Sequence, residues 1–87
     1  MSPQAAATTV LEAYERLNTG RWIRLADIMD AGRLRHADLI AGVKHLLAEC
    51  DGVRTEPIFI PSLIKPDDRE AAVVIAGEPH HMIRIFD

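Results

Sequence analysis

The hydrophobic period of this 87-residue chain changes at Gly52, and that change restricts it to a helical part followed by a strand part. Before Gly52 the apolar residues recur every three or four positions. After it come short β-branched runs broken by proline. Ala6, Val10, Tyr14 and Leu17, with Ala13 beside them, mark one face of a helix over residues 3–18. Ser2-Pro3 supplies a cap and a first helical residue, Thr9 with Glu12 offers an inner capping box, and Asn18-Thr19-Gly20 is the stop. Trp22-Ile23-Arg24 leaves room for a short extended piece. Leu25, Ile28 and Met29 predict a second helix over 25–31, stopped by Gly32. Leu39, Val43, Leu46, Leu47 and Cys50 form the apolar stripe of a third helix over 36–50, with Gly52 as its C-terminal cap. Gly42 interrupts this helix, which close packing against helix one or two would explain.

Downstream, Pro57 and Pro61 make "VRTEPIFIP" an edge strand or one with a break. "SLIKPDDREAA" reads as a loop with a helical turn opening at Pro66, and "AVVIAGEPHHMIRIF" as a β-hairpin around Gly-Glu-Pro. The expected core joins Leu17, Ile28, Leu39, Val43, Leu46 and Ile83. A chain of this length has room for one domain, residues 1–87.

Cys50 is the only cysteine, which fits a reducing compartment and rules out an intrachain disulfide. Its place on the stripe predicts burial as a small hydrophobe. The N-terminus lacks the basic and apolar regions of a signal peptide, and no run approaches the roughly 20 apolar residues of a membrane span. A cytoplasmic protein is expected. A net charge of −3 makes a poor overall profile for nucleic acid, so any such contact must come from a local basic cluster.

The order helix, extended piece, helix, turn, helix, ribbon, carried by "VLEAYERLNTGRWIRLADIMDAGRLRHADLIAGVKHLLAECDGV" and the hairpin after it, resembles a winged helix-turn-helix domain. The tail "DREAAVVIAGEPHHMIRI" is similar to the ends of small bacterial winged-helix domains of unassigned role. The resemblance implies an α+β fold of three helices followed by a C-terminal β-hairpin, or wing. It also implies double-stranded DNA as partner, transcription regulation as the role, and a homodimer as the assembly. The groove-facing residues would then be Arg33, Arg35, His36 and Lys44, with Arg84 supporting at the ribbon tip.

The alternative is a winged helix used for protein contact or dimerisation without DNA. Ala37, Ala41, Lys44 and Ala48 would form the outward face of helix three, unusually smooth for a soluble helix, and Ala5-Ala6-Ala7 would add apolar surface on helix one. No catalytic, metal or cofactor site is expected. Phosphate loops, HExxH and nucleophile elbows are missing from the sequence. Asp67 and Asp68 favour a helix start rather than a cation. If Ile83 and Ile85 face the core, His81 points inward at the hairpin mouth and His80 shares the outer face with Met82 and Arg84.

Overall fold

The computed structural model describes residues 1–17 and 20–86. It is an α+β arrangement of four α-helices and short antiparallel strands. Helix α1 spans Pro3–Leu17, β1 Ile23–Arg24, α2 Leu25–Ala31 and α3 His36–Glu49. Strand β2 is Val53–Glu56, a 3-10 turn covers Pro61–Leu63, and α4 is Pro66–Ala71. The chain ends with β3 Val73–Ile75, β4 Glu78–His80 and β5 Met82–Ile85. No helix of the described residues is long and apolar enough to cross a membrane.

The helices lie where their apolar spacing puts them. Ser2 caps α1 by accepting the Ala5 N–H on its hydroxyl at 3.1 Å. Thr9 does not open a capping box. It sits inside an established helix, where its hydroxyl donates back to the Ala5 carbonyl at 3.1 Å. The proposed stop of α1 at Asn18 and Thr19 lies outside the described residues. Val10, Ala13, Tyr14, Leu25, Ile28, Leu39, Val43, Leu46 and Ile83 are buried in one cluster, with Leu17 packed at its margin. Tyr14 ties α1 to β5, its hydroxyl accepting the Ile85 N–H at 3.1 Å and donating to the Ile85 carbonyl.

Two glycines act differently from what the sequence implies. Gly32 keeps right-handed helical backbone at the end of α2, and Arg33 takes the left-handed position at φ +51°. Arg33 N–H then donates to Asp30 and Leu34 N–H to Met29, so α2 closes in a Schellman motif with arginine at the usual glycine site. Gly52 does not cap α3. Cys50 does, with extended backbone, and it is exposed rather than buried because the helix ends before the stripe reaches it. Gly52 instead lets the chain pass β5, since a Cβ there would collide with the Phe86 carbonyl.

The tail differs most from expectation. It is divided at His81 between two sheets. β3 and β4 form a hairpin whose turn is Ala76-Gly77, at φ +52° and +82°, not Gly-Glu-Pro. β5 is the central strand of a sheet ordered β1-β5-β2, with Ile83 opposite both Ile23 and Thr55. His80 therefore belongs to β4, not to the strand carrying Met82 and Arg84. Residues 57–81, inserted between β2 and β5, form a folded segment with its own helix α4 rather than a simple wing.

Candidate contact surface around helix α3

Arg33, Arg35 and His36 come together at the turn into α3, in different surroundings. Arg33 lines a shallow cleft of about 570 Å³ with Ala26, Met29, Leu34 and three acids, Asp27, Asp30 and Asp67. Arg35 is exposed, with its Nε 3.5 Å from Asp38 one turn into α3. His36 donates its Nε2–H to the Ala72 carbonyl at 2.8 Å, which pins the start of α3 to the chain entering β3. Lys44 lies two turns further along α3 and is exposed. Arg84 is not at the ribbon tip. It stands on β5, opposite Arg54, with its guanidinium 4.7 Å over the Phe86 ring. The five candidate residues are thus spread over three surfaces, and the densest group adjoins four carboxylates.

The strain at Arg33 separates its structural role from its charge. A non-glycine residue in left-handed backbone costs about 1 kcal/mol relative to glycine. Arg33→Gly is therefore expected to stabilise the fold by about that amount while removing one cation. A urea titration showing a lower midpoint would overturn this account of the turn.

The open face of α3 is nearly neutral. Ala37, Lys44 and Ala48 are exposed and Ala41 is half-buried. Between the C-terminal half of α3 and β3 runs an apolar groove of about 390 Å³, lined by Lys44, Leu47, Ala48, Val74, Ile75 and Ala76. A second apolar surface lies on the segment after β2, where Phe59, Ile60 and Leu63 are 77%, 56% and 59% exposed. By contrast, Ala6 and Ala7 are buried, so the Ala5-Ala6-Ala7 surface imagined on α1 reduces to Ala5.

A polar knot missed at the level of sequence holds the inserted segment in place. Arg24, at the junction of β1 and α2, donates from Nε to Asp68 at 2.8 Å and from Nη2 to Asp67 at 2.6 Å, with Asp27 at 3.4 Å. Asp68 is buried and also accepts the Lys65 N–H at 3.0 Å. Burial pushes its carboxyl up, but the Lys65 N–H and the Arg24 guanidinium outweigh this and hold it below the usual carboxylate range. The same contact with Asp68 raises the pKa of Arg24. The acids Asp67 and Asp68 thus face an arginine, and among the described residues no cluster is arranged for a metal.

Beside this knot, His81 is buried, as the alternation of the tail predicts. Its Nδ1 accepts the Ile58 N–H at 3.0 Å. Its backbone bonds Glu56 on one side and Leu25 on the other. His80 shares a 2.7 Å hydrogen bond with the Thr55 hydroxyl. His80 thus joins β4 to β2, and His81 ties the end of β2 and the residues after it to the start of α2. No protein-family model, curated protein or solved structure matches the chain.

Proposed function

We propose that this chain is a winged helix-turn-helix domain working as a non-enzymatic protein-contact module. Support for the fold comes from the order of elements: three helices with a short strand between the first two, then returning strands that join that strand in one sheet. The observation that carries the contact role is the open face of α3. It presents Ala37, Ala41 and Ala48 around a single lysine, where a groove reader needs several cations to displace phosphate counterions. The exposed Phe59, Ile60 and Leu63 add apolar surface suited to a partner.

DNA binding of the transcription-regulator type is the second reading, favoured by Arg33 and Arg35 being exposed together at the entry to α3. The deciding experiment titrates wild type and an Arg33→Ala, Arg35→Ala double variant onto short duplexes at low salt. The contact reading expects weak binding, if any, with little difference between the two proteins. Tight binding by wild type that the double variant loses would restore DNA as the partner. A second copy of the chain is one candidate partner, and sedimentation at a mass near 9.7 kDa at high micromolar concentration would eliminate it.

A further inference from the structure

We propose that the outer edge of β3, with the groove between it and α3, is a strand-addition site for an extended peptide that carries a carboxylate. This rests on the contact-module reading and specifies its site and partner. The two-residue turn Ala76-Gly77 has positive φ at both positions, the type I′ geometry that makes its flanking residues, Ile75 and Glu78, a hydrogen-bonded pair. Antiparallel pairs alternate, so Val74 and Pro79 are a non-bonded pair and Val73 and His80 a bonded one. The Val74 N–H and C=O consequently point away from β4. Neither bonds to any group outside the hairpin among the described residues.

The two edges of this hairpin are unequal. On β4 the outward position is Pro79, which has no N–H to offer and so blunts that edge. On β3 the outward position before Val74 is Ala72, whose carbonyl is taken by His36 of α3. Helix α3 therefore runs alongside the β3 edge, closing it at Ala72 and leaving it open at Val74. The open stretch has the apolar floor of the groove beneath it, formed by Leu47, Ala48 and Ile75.

A peptide added here gains main-chain bonds from Val74 and places alternate side chains onto Leu47 and Ile75. Its charge follows from the rim. Lys44 is the only charged residue lining the groove, and it has no ion pair among the described residues. A carboxylate on the peptide, whether an Asp or Glu side chain or a C-terminus, complements it.

The test sorts a displayed library of random nonapeptides against the immobilised full chain, then measures resynthesised winners. Expected winners alternate apolar residues and carry an acid. They should bind Val74→Pro at least tenfold more weakly than wild type, and Lys44→Glu should reverse the preference from acidic to basic peptides. Val74→Pro removes an N–H that the fold does not use, so its thermal midpoint should stay near that of wild type. Should it fall, amide exchange at Val74 in wild type decides instead: protection on peptide addition supports the site, and unchanged exchange overturns it. Winners that bind Val74→Pro equally but lose a Phe59→Ser, Leu63→Ser variant overturn this site and keep the contact reading. A library with no winners overturns the peptide site. The contact reading fails separately, through arginine-dependent duplex binding.

Discussion

Asp68→Ala should destabilise the protein by about 3 kcal/mol, because it strips a buried partner from Arg24 and removes the acceptor that caps α4. Asp68 is almost wholly buried, while the Arg24 side chain keeps some access to water. The cost thus falls at the lower end of the range for breaking a buried pair, since the stranded guanidinium can partly resolvate. Arg24→Ala should cost as much or more, leaving the Asp68 carboxylate buried with only the Lys65 N–H. The pH dependence gives the sign a second check. The folded carboxyl ionises below its unfolded value of about 3.9. Its stabilisation is therefore complete above that value and is lost as pH falls through the folded one. Urea titrations of wild type and Asp68→Ala should differ fully at pH 7, and the gap should narrow as pH falls below the unfolded value and through the folded one. A gap under about 1 kcal/mol at pH 7 would mean the knot acts as an ordinary surface pair.

That knot also marks where sequence reading runs out. The bounds of α2 and α3 and the start of α1 were legible, because a helix is specified by neighbours three and four residues away and by its caps. Leu39, Val43 and Leu46 announce α3 without reference to anything else in the chain. Arg24 and Asp68 are 44 positions apart, and nothing local to either signals the other. The division of the tail is of the same kind. Whether Met82–Ile85 continues the β3–β4 hairpin or leaves it is decided by Ile23 and Thr55, which lie across the sheet.

The turns are illegible in the sequence for another reason. Ala76 and Arg33 both hold positive φ, so these left-handed positions carry residues that rarely adopt them, although Gly32 and Pro79 stand nearby. In the candidate site, the adjacency of Arg33, Arg35 and His36 followed from sequence. The surroundings of Arg33 and His36 did not, since Asp67 and the Ala72 carbonyl arrive from the inserted segment.

Gly42 offers the second large effect, and here two principles predict opposite signs. Replacing a glycine inside a helix with alanine normally stabilises by about 1 kcal/mol. At Gly42, however, a Cβ would lie 2.8 Å from the Ala6 carbonyl carbon and 2.9 Å from its oxygen. These are backbone atoms of α1, so no side-chain rotation relieves the contact, and the two helices must separate. Overpacking of this kind costs about 1–3 kcal/mol, and separation also loosens Val10 and Val43, which are fully buried in the same core. Packing therefore wins: Gly42→Ala should lose about 1–2 kcal/mol net, and Gly42→Val more, since the bulk grows and the propensity gain shrinks. Exchanging the other partner distinguishes a collision with the α1 main chain from one with the Ala6 side chain. Ala6→Gly leaves the colliding main-chain atoms in place, so it should not rescue Gly42→Ala in a double-mutant cycle. A Gly42→Ala protein more stable than wild type would show that α1 can move away from α3 at little cost. The close approach of these two helices would then not be what fixes the position of α3 and its open face.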